Sequence, residues 1–299
     1  MAKITVPKEL QDKIIDLYEN KKYGRTRIVK ELSLPFGEEK VKNILKENNV
    51  YIRNAAEARA VGNRLKPDLR KFSINDNYNF ESHNGAWLLG MYAADGYLPS
   101  TRGAQNRVIL SLQKKDKDLL ETIKNELQYA GEIHEYLSTN GHPYVSLAFT
   151  SEKIRKTMES YGIVSNKTFK LERIPDLPFE YKIDFIRGFF DGDGSLYELK
   201  KEKRVRMNIV CASRSLLEDI NIFLSENYSV TLRNIHVDER HKHNAYYMTY
   251  NKKDSFTLGK IFYDNDYISL PRKKKRYFEY LEKYSQKDKY PTRLNTPKG

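Results

Sequence analysis

Residues 87–97 (WLLGMYAADGY) and 185–195 (FIRGFFDGDGS) carry the same pattern ninety-eight positions apart. Each is an apolar helical stretch with small residues at a spacing of four, Gly90 and Ala94 in the first and Gly188 and Gly192 in the second, closed by an Asp-Gly pair. Small residues four apart lie on one face of a helix, so two such helices can pack backbone against backbone. The glycine after each aspartate predicts a helix exit through the left-handed region. Asp95 and Asp193 break a rule, because a carboxylate in the last turn faces the negative end of the helix dipole. A positive group should therefore stand beside each. Two such ends brought together would place two carboxylates side by side, where divalent cations relieve both the dipole and the mutual repulsion.

The chain around these segments repeats too. The first is followed by an alternating strand over 107–113, a helix over 116–129, a hairpin turning at Asn140-Gly141 and a helix over 151–161. The second is followed by a strand over 204–212, a helix over 213–226, strands around 229–237 and 244–250, and a helix over 254–263. Leu119-Leu120-Glu121 and Leu216-Leu217-Glu218 mark the same place in each copy. The expected fold class is α+β: two α-β-β-α-β-β-α copies, each an antiparallel sheet with helices on one face, and a last helix from Arg272 to Tyr284. The uncovered face carries Arg107 in the first copy and Arg204, Arg206 and Asn208 in the second, candidate DNA contacts.

Ahead of the repeat, Leu10, Ile14 and Leu17, then Ile28 and Leu32, then Val41, Ile44 and Leu45 fall at helical spacing. Three short helices with Pro35-Phe36-Gly37 between the second and third are similar to a helix-turn-helix domain. In that reading the helix from Glu38 to Asn48 enters the major groove, with Lys40, Lys42, Asn43 and Lys46 as contacts. A small helical bundle with a solvated basic face fits the same pattern. Residues 54–80 lose apolar periodicity and read as a basic linker; an extended basic segment beginning at Arg53 just ahead of it, with Arg59, Arg64, Lys66, Arg70 and Lys71, could track a phosphate backbone.

Leu88 to Gly96 and Ile186 to Gly194 resemble the nine-residue motif of the LAGLIDADG homing endonucleases, in the single-chain, two-motif arrangement. The first copy carries Ala93 where Asp191 stands in the second, a departure at a position that is not the family's essential metal ligand. The resemblance implies two pseudo-twofold halves over 81–180 and 181–290, forming a saddle on double-stranded DNA, after a helix-turn-helix domain over 1–53 and before a tail over 291–299. It implies a monomeric, site-specific enzyme that cuts one phosphodiester per strand at a long asymmetric site, leaving 5′-phosphate and 3′-hydroxyl ends with short 3′ overhangs. Asp95 and Asp193 would ligate two or more Mg²⁺ ions, for which Mn²⁺ could substitute, together with the backbone carbonyls of Ala94 and Gly192. Lys167 and Lys273 match the family's basic residue near each active site. Gln113, aligned with Val210, matches a polar residue that orders water. Two other classes remain open: an intron maturase binding structured RNA, and a DNA-binding transcriptional regulator on the same fold.

Composition fits a polyanionic partner, with 53 Lys and Arg against 40 Asp and Glu giving a formal charge of +13. The run Arg272 to Arg276 (RKKKR) reads as the second-site lysine plus phosphate contacts. The single cysteine, Cys211, excludes an internal disulfide framework and reads as a buried apolar side chain. No apolar run suits a membrane span and no signal-peptide core is apparent, so the expected location is intracellular, cytoplasmic or organellar.

Overall fold

The computed structural model describes residues 6–54, 57–58, 72–101, 104, 106–165, 170–202, 204–239 and 245–285. The chain forms two compact units, Met1–Asp68 and Leu69–Gly299.

The first unit includes the helices α1 (Lys8–Glu19), α2 (Arg25–Glu31) and α3 (Glu38–Glu47). They close over Ile14, Tyr18, Ile28, Val41, Ile44 and Leu45, all buried. Arg53 has a structural duty. Its guanidinium donates to the carbonyls of Tyr18, Lys22 and Tyr23 and lies 3.9 Å from the Tyr18 ring centroid. It is thereby a clamp on the helices, not the phosphate contact expected from the linker reading. Arg59, Arg64, Lys66, Arg70 and Lys71 lie outside the described residues.

The second unit contains α4 (His83–Asp95), β1 (Gly96–Tyr97), β2 (Arg107–Gln113), α5 (Lys117–Glu126), β3 (Ile133–Leu137), β4 (Pro143–Thr150) and α6 (Glu152–Ser160). The same order returns in α7 (Phe179–Asp193), β5 (Gly194–Leu199), β6 (Arg204–Cys211), α8 (Arg214–Asn227), β7 (His236–Asp238), β8 (Ala245–Tyr250) and α9 (Lys252–Tyr263), with α10 (Pro271–Ser285) added. The two sheets have matching antiparallel orders, β1-β2-β4-β3 and β5-β6-β8-β7. Strand alternation puts Val108, Leu110 and Leu112, and likewise Val205, Met207 and Ile209, in one continuous core. The Asn140-Gly141 turn forms as the sequence predicts, with Gly141 at φ +79°. Residues 72–80, which the sequence reading gives to the linker, belong to this unit. Phe80 is buried, the Asn75 amide donates to the Leu127 carbonyl, and the Ala130 amide donates to that of Ser73.

Three local departures have visible causes. The helix expected to run to Tyr129 stops at Glu126, because Gln128 adopts φ +49° and the Tyr129 amide turns back to the Lys124 carbonyl. The strand expected over 229–237 shrinks to β7. The Asn221 side chain takes both the amide and the carbonyl of Arg233, the groups a neighbouring strand would need. Finally, the motif glycines do not enter the left-handed region: Gly96 lies at φ −75° and Gly194 at φ −83°, both extended. Their need for glycine is one of space, since an added Cβ would stand 2.4 Å from the Tyr92 ring and 2.2 Å from the Phe190 ring, respectively.

Candidate active site

The two motif helices, α4 and α7, touch backbone to backbone. A Cβ built on Gly90 would stand 2.1 Å from the Phe185 carbonyl oxygen, and one on Gly188 would stand 1.9 Å from that of Trp87. The contacts are reciprocal, each glycine facing the carbonyl three residues before its counterpart, as a local twofold requires. Further along, a Cβ on Gly192 would meet the Ala94 Cβ at 2.3 Å and Asp95 Oδ2 at 3.3 Å. Contacts 87 to 188 and 94 to 192 advance in the same direction, so the helices run parallel. Their C-termini therefore reach one end of the pair, delivering Asp95 and Asp193 together with the Asp95 carboxylate leaning over Gly192. Ala94 and Gly192 lie in the last turns, where carbonyls lose intrahelical partners.

The positive group at the paired helix ends is Lys273, whose charge is felt by both Asp95 and Asp193. It comes from the first turn of α10 and is only 2% exposed. Its ammonium donates to the carbonyls of Phe190, Asp191 and Gly194 at 2.5, 2.9 and 2.5 Å. All three N–H donors thus close the C-terminus of α7, countering its dipole. Burial pushes the ammonium down to about 8, assisted by Arg272 and opposed by Asp191, Asp95 and Asp193. Lys167, its expected counterpart, lies outside the described residues.

Asp191 is a residue the sequence reading passed over. Its buried carboxylate accepts from the Trp87 indole at 2.9 Å, the Tyr263 hydroxyl at 2.8 Å and the Leu270 amide at 2.8 Å. One side chain thus ties α4, α9 and the approach to α10 around the C-terminal turn of α7. The first copy has Ala93 at the matching position and so lacks such a carboxylate. That mismatch between the motifs was the available signal.

The basic run at the start of α10 is largely spent inside the molecule. Arg272 pairs with Asp116 of the first copy at 3.0 Å, Lys274 donates to the Asn265 carbonyl, and Arg276 to that of Leu196. The phosphate contacts expected of this run are to that extent replaced by joints between copies and elements. Lys275 remains exposed, 4.0 Å from Glu279.

Gln113 is exposed at the end of β2. Gly96 pairs with Leu110 and Gly194 with Ile209, so strand register matches Gln113 with Ala212, not Val210. Three residues from Leu110 put Gln113 about 10 Å along the strand from the Gly96 pairing. Arg107, Arg204, Arg206 and Asn208 all lie on the sheet faces opposite the core, in step with Ile109 and Val210. In the first unit, Asn43 and Lys46 are exposed on α3, while Lys40 and Lys42 are half-buried. Lys42 is held by Glu39 at 2.8 Å. The first turn of α3 is acidic, with Glu38 and Glu39.

Residues 180–258 are similar to the LAGLIDADG-like domain family, a match that runs from α7 into α9 of the second copy. The chain is 25% identical over 167 residues to the DNA-directed RNA polymerase subunit Rpo1C of Methanocaldococcus jannaschii, covering 55% of this chain and 18% of that protein. It is 26% identical over 200 residues to an uncharacterised protein of the same organism, covering 64% of this chain and 69% of that one. Among solved structures, that of I-DmoI in complex with DNA and Ca aligns at a TM-score of 0.48 and 22% identity, over 67% of this chain and all of that one. Among the described residues no helix is long and apolar enough to cross a membrane.

Proposed function

We propose that the chain is a site-specific double-strand DNA endonuclease of the LAGLIDADG type, with Asp95 and Asp193 as the paired acidic groups of its centre. One observation carries the reading: two parallel helices in backbone contact deliver two aspartates to the same negative helix ends. Among the described residues no three His, Cys, Asp or Glu side chains converge as a metal cluster. The chain therefore offers two hard carboxylates and helix-end carbonyls of Ala94 and Gly192, a donor set that suits Mg²⁺ completed by substrate phosphate and water. A divalent cation held there would supply Lewis-acid polarisation of the scissile phosphate and lower the pKa of an attacking water. The protein's own contribution is positioning. Lys273 and Asp191 fix the end of α7, and the open sheet faces provide the groove-reading surface on either side. The three-helix unit would lengthen the footprint, with Asn43 and Lys46 as the exposed contacts of α3.

The test incubates the purified chain with a genomic or randomised DNA library in Mg²⁺ and sequences the new ends, with Asp95→Asn and Asp193→Asn variants in parallel. Discrete staggered ends lost in either variant, with DNA binding retained, are the expected result. Cleavage by a single variant at the rate of the parent chain would remove that aspartate from the centre.

A further inference from the structure

On the open sheet faces, the rows that begin two residues beyond the two aspartates differ in kind between the copies. In the first sheet the row runs Tyr97, Ile109, Ala148. In the second the matched row runs Ser195, Asn208, Thr249. Tyr97 and Ser195 each stand two residues beyond the motif aspartate, so the rows are structural counterparts. One is apolar apart from a phenol hydroxyl, and the other has a hydrogen-bonding group on every strand. The next position along the central strand, two residues on, is arginine in both sheets, Arg107 and Arg206. Among the described residues, Asn208 Oδ1, Arg206 Nε and Arg107 Nε are shielded from solvent yet have no hydrogen-bond partner. Buried polar atoms in proteins are overwhelmingly satisfied, and rotation of these side chains towards the open face would let a ligand laid across the sheet complete them, as it would not for Tyr92 Oη, Arg187 Nε and Arg233 Nε, which lack partners elsewhere.

Resting on the endonuclease reading, we infer that the two copies read chemically different inner half-sites. Asn208 pairs with an adenine and Arg206 with a guanine on the side of the second copy. Ile109 contacts a thymine methyl on the side of the first. An asparagine amide matches adenine N6 and N7, its Oδ1 taking the N6 proton, and a guanidinium matches guanine O6 and N7. Thymine alone offers a methyl group in the major groove, the complement of an isoleucine flanked by Tyr97 and Ala148. Residues two apart on a strand are about 6.6 Å apart, close to two base steps of about 3.4 Å. The adenine and guanine should therefore fall one or two positions from each other, the adenine nearer the cut. Both arginines make guanine common to the two half-sites, and the inner position separates them.

The test is a binding selection from randomised duplexes in an Asp95→Asn/Asp193→Asn background, so that bound DNA is recovered intact. Asn208→Ile is expected to reduce the adenine preference about ten- to a hundredfold at one inner position of one half-site and to leave the other half-site's profile in place. Ile109→Asn should create an adenine preference at the matched position of the opposite half-site. Arg206→Ala, which leaves the row untouched, should erase a guanine one or two positions outward. Unchanged profiles in a chain whose cleavage still depends on Asp95 and Asp193 would overturn the assignment and leave the endonuclease standing. A chain that neither binds nor cuts DNA would remove both.

Discussion

Replacing Gly188 with alanine sets two effects against each other, and the structure says which wins. In a helix interior with open space around it, the exchange stabilises by about 0.5–1 kcal/mol, because glycine has more backbone freedom to lose on folding. At Gly188 the new methyl group would stand 1.9 Å from the Trp87 carbonyl oxygen. Backbone cannot rotate out of the way as a side chain can. To reach even 3.0 Å, the tightest separation that real contacts show, α4 and α7 would have to part by about 1.1 Å. A gap of that size forfeits roughly a quarter to a half of the dispersion energy of the atoms that line it. Overpacking of well-packed cores costs about 1–3 kcal/mol, and here the whole helix pair must move. The expected net effect of Gly188→Ala is a loss of about 2–3 kcal/mol despite the gain in helix propensity. The chain has a single tryptophan, Trp87, buried in this contact. Urea unfolding followed by its fluorescence therefore reports on the interface directly. Gly24→Ala, where nothing lies within 4 Å, is the control and should change little. A Gly188→Ala chain as stable as its parent would refute the backbone-contact geometry, and with it the argument that brings the two aspartates together.

Asp191→Ala, which copies Ala93 of the first motif, strands three buried donors at about 1–3 kcal/mol each. We expect a destabilisation of about 3–5 kcal/mol, a shift in Trp87 emission, and a smaller effect for Asp191→Asn; equal stability would mean that the network is idle. Lys273 gives a pH signature. Its ammonium deprotonates near 8 when folded and near 10.5 when unfolded, so over that window the unfolded chain holds more protons and stability rises with pH. The difference in unfolding free energy between the parent and Lys273→Met, measured with chelator present, should move in favour of the parent across the window; a flat difference would contradict the burial. Burial lifts the Cys211 thiol from 9.0 to about 11, so thiol labelling at neutral pH should be slow in the native chain and fast in urea. Rapid native labelling would show that the C-terminal end of β6, where Cys211 stands, opens.

What could be read from the sequence was whatever is local or periodic. The helix pair followed from small residues at a spacing of four, and the sheets from alternation. The hairpin followed from Asn140-Gly141, whose glycine adopts the positive φ such a turn requires. What escaped were contacts between distant positions. The Asp191 carboxylate meets Trp87, Tyr263 and Leu270 at separations of 104, 72 and 79 residues, and no window of sequence displays that convergence. The Asn221 hold on Arg233 shortened a strand whose composition alone suggested more. The glycines after Asp95 and Asp193 were identified as necessary for the wrong reason. Their role is to let the ring four residues earlier fold over the chain, a packing demand invisible in a turn propensity.

The electrostatics of the paired helix ends bear on mechanism as well as on fold. Parallel helices align their macrodipoles, and each C-terminus carries about half a unit of negative charge. With the carboxylates of Asp95, Asp191 and Asp193, the end of the pair gathers roughly four units of negative charge, to which, among the described residues, the Lys273 ammonium brings one positive charge. Hydrophobic packing explains why Gly90 and Gly188 meet, but it gives no reason to place acids at the point where both dipoles terminate. Under the proposed function the conflict deepens, since the substrate is itself a polyanion that must approach these carboxylates with its phosphates. Two negative partners can be held in contact only by multivalent positive charge between them. On that reading the sheet faces, carrying Arg107, Arg204 and Arg206, would attract DNA without metal, whereas the centre would engage its phosphates only with cations between them. Overall affinity should therefore persist in chelator while the central phosphates remain unengaged, a separation of binding from cutting that follows from where the acids and the arginines stand.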